Sequence, residues 1–193
     1  MQLKKCFAVI FLLLFAAVAQ AEYQLDNAGS SINFVSIKKA KIGEVHTFTR
    51  LSGGVDQTGL ARLTVDLSSV ETHIAIRNER MQGMLFETAL FPSAAVSTQL
   101  NMQTLQALKA GDSLLLPLEL NFKVHGEVKV IATTLRVVAL ADGALLVSSI
   151  APIMLNAADF ALSDGIQKLM TVAKLPSIAT AVPLTFSLLF KPN

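Results

Sequence analysis

The 193-residue sequence predicts an all-β fold: an antiparallel barrel of about eight strands with one or two short helices. Three observations carry that expectation. Apolar and polar side chains alternate over long stretches, which puts successive residues on opposite faces of a strand. Turn signals rich in Gly and Asp separate those stretches at hairpin spacing. Apolar residues make up 52% of the chain, and the excess persists when the apolar N-terminal run is set aside.

Residues 1–21 have the form of an export signal. Lys4 and Lys5 precede an apolar run over residues 6–18, and Ala19-Gln20-Ala21 supplies small residues at the −3 and −1 positions of a cleavage site. The run is too short to favour a membrane span. Cleavage leaves residues 22–193 as a single domain of ordinary size in the periplasm, with no linker, repeat or low-complexity segment. It also removes Cys6, the only cysteine, so the mature chain forms no disulfide. Without Lys4 and Lys5 the charges balance at 14 basic and 14 acidic residues. A balanced, dispersed set argues against nucleic acid as a partner and against strong attraction to anionic lipid.

The strands follow in order. Ile32 and Phe34 alternate with Ser31 and Asn33. Leu63, Val65 and Leu67 alternate with Arg62, Thr64 and Asp66, after turn signals at Ser52-Gly53-Gly54 and Gln57-Thr58-Gly59. The clearest case spans residues 114–124, where Leu114, Leu116, Leu118, Leu120, Phe122 and Val124 hold one face and Pro117, Glu119, Asn121 and Lys123 the other. His125-Gly126 turns it into a return strand, and Asp142-Gly143 marks the next hairpin. The last strand sets Val182, Leu184, Phe186, Leu188 and Phe190 against Ala181, Pro183, Thr185, Ser187 and Leu189. Alternation of this kind belongs to antiparallel sheets with one dry face. Pro117 and Pro183 each lack a donor, which places them at sheet edges or bulges, and such edges allow a homodimer. Residues 76–86 and 163–172 carry helical apolar stripes, as core contacts or as a cover for a barrel mouth.

An outer-membrane barrel needs aromatic girdles at both interfaces. This chain has no Trp and a single Tyr, so the apolar faces are expected to point inward, with no stable membrane insertion. Enzyme chemistry finds no support either. His46, His73 and His125 lack metal-ligand spacing and read as surface residues, no serine sits in a G-x-S-x-G elbow, and Gly53-Gly54 leads into no phosphate-binding helix. No catalysis, cofactor or metal is expected.

What remains is the apolar surplus. A barrel too wide to fill its own centre encloses a cavity. Burial gains roughly 0.8 kcal/mol per methylene, so ten methylenes gain about 8 kcal/mol against an association cost of ~4–15 kcal/mol. Only a long chain binds usefully to such a wall. The alternating faces assign to it Phe34, Leu63, Val65, Leu118, Leu120, Phe122, Leu184, Phe186 and Leu188, with Met81, Met84 and Phe86 near a mouth.

Several motifs, in order along residues 22–193, resemble the YceI-like family. They are Tyr23-x-x-Asp26 with Ser31-Ile32-x-Phe34; Ser69 and Thr72 after a strand; Arg77-Asn78, Met81, Phe86 and Phe91-Pro92; residues 120–126 ending in Val124-His125-Gly126; Asp159-Phe160; and the last strand. The resemblance implies an extended lipocalin-like barrel, exported to the periplasm, with an apolar lumen holding a polyisoprenoid or other long-chain lipid and no established catalysis. The chain departs from the family pattern at Ser30, at residues 44–48, at Asn78 where Asp is usual, and at Phe91 where Tyr is usual. A lipid carrier is therefore the first reading. A ligand-free stress or interaction protein with a filled core is the second, and an enzyme on an apolar substrate, with His46 or His125 in its lumen, a distant third.

Overall fold

The computed structural model describes residues 21–193, so the export-signal reading lies almost wholly outside the described residues. Eleven strands and three short helices follow one another: β1 (Ala21–Lys38), β2 (Ile42–Phe48), β3 (Leu51–Asp56), β4 (Leu60–Asp66), β5 (Val70–Glu71), α1 (Ala75–Arg80), β6 (Ser93–Gln99), α2 (Met102–Gln106), β7 (Ser113–Val124), β8 (Glu127–Ala139), β9 (Leu145–Ser149), β10 (Ile153–Asn156), α3 (Ser163–Ala173) and β11 (Ala181–Pro192). Every pairing is antiparallel, and β11 pairs back onto β1, from Tyr23 opposite Pro192 to Phe34 opposite Leu184. That pairing closes an eight-stranded barrel. The remaining strands extend it: β2 and β3 both pair with β1, and β9 and β10 both pair with β11, so each couple acts as one broken stave.

The breaks are stitched by side chains. β1 bulges between Asp26 and Ser31. Within the bulge, Ser30 donates its hydroxyl to the Asp26 carbonyl at 2.7 Å and accepts the Leu189 amide at 2.9 Å. Asn27 spans the β2–β3 break, accepting the Leu51 amide at 2.6 Å and donating to the Thr49 carbonyl at 3.1 Å. Backbone groups that the bulge strips of ladder partners are thereby satisfied. Pro117 and Pro183 sit as expected where pairing on one side has stopped: β6 meets β7 only over residues 121–123, and the β1 ladder on β11 ends at Leu184. The β7–β8 turn places His125 at φ 51° and Gly126 at φ 86°, the left-handed pair of a tight hairpin.

The turn reading of Ser52-Gly53-Gly54 is corrected, because these residues lie inside β3. A Cβ on Gly53 would stand 2.2 Å from the Arg62 carbonyl oxygen of β4, so this glycine serves close strand approach. Both helical stretches appear. The first is α1 continued by a π-turn over residues 81–85, and the second is α3. They pack together across the barrel end that also holds the β1–β2 and β7–β8 turns, whereas α2 underlies the opposite end. At the contact, a Cβ on Gly165 would come within 2.8 Å of the Leu85 Cα and the Met84 carbonyl.

Candidate ligand-binding lumen

Alternation decides which side chains enter the barrel. Along β7 the odd positions from Ser113 to Lys123 are exposed, while Leu120 and Phe122 are buried. Leu116, Leu118, Leu184 and Phe186 share the inward face yet remain half-buried. The surface they retain borders a cavity of about 240 Å³ inside the barrel. That exceeds by far the ~10–15 Å³ that one water centre occupies. Arg62, Ser97 and Thr98 are among its lining residues, but the surface it presents is almost entirely apolar, so it offers water few partners and favours apolar occupants.

Ten of the twelve residues assigned to a ligand wall line this cavity: Phe34, Leu63, Val65, Phe86, Leu118, Leu120, Phe122, Leu184, Phe186 and Leu188. Met81 and Met84 do not. Met81 is buried in the main core beneath the helical cover, and the Met84 carbonyl faces Gly165 of α3. Many further wall residues escaped the sequence reading. Val96, Leu135, Val137, Leu145 and Val147 belong to strands with apolar residues on both faces, and Phe160, Leu162, Ile166, Leu100 and Leu105 come from connections with no period-two signal.

Each end of the lumen has its own closure. Leu100 and Leu105 floor one end, held by α2, whose first amides are capped by the Asn101 side chain. At the other end Phe34 stacks on Phe48 with ring centroids 5.3 Å apart, and Phe48 meets Phe86 at 5.8 Å. Leu85, Phe160, Leu162 and Ile166 complete that end.

Beyond the aromatic group lies a polar mount for the cover. His46 is buried (3% exposed), which corrects its reading as a surface residue. The β1–β2 register sets it opposite Phe34, 5.2 Å between ring centroids, and its Nε2 lies 2.8 Å from the Ser36 hydroxyl. Burial, reinforced by the Arg77 guanidinium, holds its pKa below the ordinary histidine value, so His46 is neutral at pH 7. Arg77 of α1 donates to Glu44 at 2.9 Å and to the Thr72 carbonyl at 2.6 Å, and Lys38 also pairs with Glu44 at 2.8 Å. Asn78 accepts from the Thr72 amide and donates to Glu71 at 3.2 Å. An Asp at that position would set a second carboxylate against Glu71, so the amide suits its surroundings here. His125 is mostly buried as well, its ring tilted by 45° against Phe91 at 4.1 Å between centroids and its Nε2 3.1 Å from Glu87, which in turn meets Lys168 of α3 at 3.7 Å. These contacts tie the cover to the β7–β8 turn.

Comparison with known proteins agrees with this architecture. The family model for the YceI-like domain matches residues 23–190. A solved structure described as a polyisoprenoid binding domain from Saccharophagus degradans, implicated in plant cell wall breakdown, is 37% identical with a TM-score of 0.89, covering 90% of this chain and 100% of that one. Burkholderia cenocepacia BcnA is 16% identical with a TM-score of 0.64, over 86% of this chain and 98% of its own. The Campylobacter jejuni YCEI protein is 15% identical with a TM-score of 0.55, over 79% and 88%. At these lower identities the likeness shows the fold alone. Among curated proteins none matches.

Proposed function

The chain belongs to the YceI-like family, and we propose that it is a periplasmic carrier that holds one long apolar molecule, a polyisoprenoid or similar long-chain lipid, along the barrel lumen. The observation that carries this reading is the cavity of about 240 Å³ whose presented surface is almost entirely apolar. A filled-core interaction protein has no use for such a space, because a void forfeits packing contacts that larger side chains supply at no cost in fold. The name of the Saccharophagus degradans domain, 37% identical over nearly all of this chain, points to the same ligand class. Lumen residues grip the chain by burial alone. With roughly 0.8 kcal/mol per methylene against an association cost of ~4–15 kcal/mol, the wall selects for chain length. The helical cover and the aromatic group exclude water from one end and set how far the chain extends.

Native mass spectrometry of protein recovered from the periplasm, with solvent extraction of bound material, tests the reading. A discrete adduct of lipid mass is expected. A bare polypeptide mass that also fails to take up fluorescent long-chain lipid probes overturns it.

A further inference from the structure

The balanced charge of the whole chain conceals an axial separation. Among the described residues, eleven large apolar side chains are exposed, and only Leu115 and Ile150 lie away from the helix-covered end of the barrel. Residues 38–49, 67–92, 121–131 and 153–182, which build that end, carry nine basic and seven acidic side chains. The rest of the described chain carries five basic and seven acidic. Folding therefore gathers exposed apolar surface and positive charge at one pole.

The centre of this pole is contiguous. The β1–β2 turn is joined to the segment after α3 by the Lys39 amide on the Ser177 carbonyl at 3.0 Å and by a bridge between Lys38 and Ile178. The same turn is joined to α1 through Lys38, Glu44 and Arg77. Ile42, Ile74, Ile76 and Val172, each at least 38% exposed, thus come from three neighbouring elements. Lys39, Lys41 and Lys174 are exposed beside them and make no ion pair among the described residues. Of the other cations at this end, Lys38 and Arg77 pair with Glu44, Lys129 with Asp159 and Lys168 with Glu87, while Arg80 and Lys123 make no ion pair among the described residues.

From this placement we infer that the helix-covered pole docks reversibly on an anionic lipid bilayer, with Ile42, Ile74, Ile76 and Val172 entering the interface and Lys39, Lys41 and Lys174 lying on the headgroups. The chemistry matches one partner. Branched apolar side chains ringed by unpaired lysines suit the boundary between acyl chains and anionic headgroups, and no described helix is long and apolar enough to cross the bilayer. A protein partner would favour aromatic anchors, and the exposed large side chains of this patch are all aliphatic. The docked pole is also the one covered by α1 and α3, so docking sets the lumen's cover against the membrane. The inference rests on the carrier reading for its purpose and not for its evidence.

Flotation of residues 22–193, which hold every described element except the first residue of β1, with phosphatidylcholine vesicles containing or lacking phosphatidylglycerol tests it without the apolar run at 6–18. Binding to the phosphatidylglycerol vesicles that weakens with added salt is expected. Replacing Lys39, Lys41 and Lys174 together by Gln lowers that affinity by about 100-fold, at about five-fold per lysine. Ile74→Ser with Ile76→Ser, both at exposed positions that leave the melting temperature unchanged, lowers it about tenfold or more. Leu115→Ser at the opposite pole leaves it unchanged. Absence of binding at low salt, or equal losses from Leu115→Ser and the pole variants, overturns the inference. Extraction of the same preparations separates the two readings: vesicle binding without cargo removes the carrier, and cargo without vesicle binding removes the docking.

Discussion

Narrowing the lumen discriminates a ligand cavity from an ordinary core. Leu118 and Leu184 point into the cavity from strands three places apart around the barrel, and neither is fully buried. Changing both to Phe adds roughly six carbons, a gross burial gain of about 5 kcal/mol at ~0.8 kcal/mol each. Imperfect rotamers and lost side-chain freedom reduce the net gain to about 1–2 kcal/mol. A bound chain is displaced from the same volume and forfeits about 5 kcal/mol, roughly four-thousandfold in affinity. Val70, 3% exposed and away from the cavity wall, provides the contrast: Val70→Phe overpacks and costs about 1–3 kcal/mol. Urea denaturation of lipid-free protein measures stability, and titration with a fluorescent long-chain lipid measures affinity. If Leu118→Phe with Leu184→Phe destabilises as Val70→Phe does and leaves lipid affinity unchanged, the space is no ligand site and the reasoning fails.

Three further outcomes follow from the cover and its mount. Asn78→Asp brings a carboxylate against Glu71, now 3.2 Å from the Asn78 amide, and costs about 1–3 kcal/mol near pH 7. The deficit shrinks in urea melts near pH 4 as the acid pair takes up a proton, and an equal deficit at both pH values refutes the account. His46 has a folded pKa below its unfolded value, so its contribution is present above pH ~6.5 and is lost as pH falls from there through the folded pKa. His46→Gln should therefore flatten the urea midpoint between about pH 7 and about pH 5, and an unaltered slope assigns it elsewhere. Below that range the depressed carboxyls of Glu44, held mainly by Lys38, and Asp66, held mainly by Ser68, add a separate acid limb, since stability of that kind is lost as pH falls through the folded carboxyl values. Gly165→Ala forces apart α3 and residues 84–85, because its Cβ would stand 2.8 Å from backbone atoms. Faster hydrogen exchange confined to residues 81–85 and 163–173 is expected, and unchanged protection there contradicts tight packing of the cover.

Wall positions on strands were legible in the sequence only where the strand has one apolar face. β7 and β11 show that pattern, so Leu118, Leu120, Phe122, Leu184, Phe186 and Leu188 could be placed on the lumen from a period of two. β8 blurs it, with Val128 and Val130 outward and exposed and Leu135 and Val137 inward and buried, so its wall residues were missed. Met81 and Met84 were assigned from a helical stripe, and a stripe marks an apolar face without saying what it meets.

Sequence by itself determined the fold class, the hinge residues of the turns at Gly59, Gly126 and Gly143, and the family, because alternation and turn chemistry are local properties of a few adjacent residues. Tertiary structure alone decided that β11 closes on β1, that Gly53 is a point of strand contact, and that His46 faces inward across from Phe34. It alone decided that dispersed lysines and isoleucines meet at one pole. Those outcomes depend on register between residues far apart in the chain, and a shift of one residue turns every side chain of a strand to the other face.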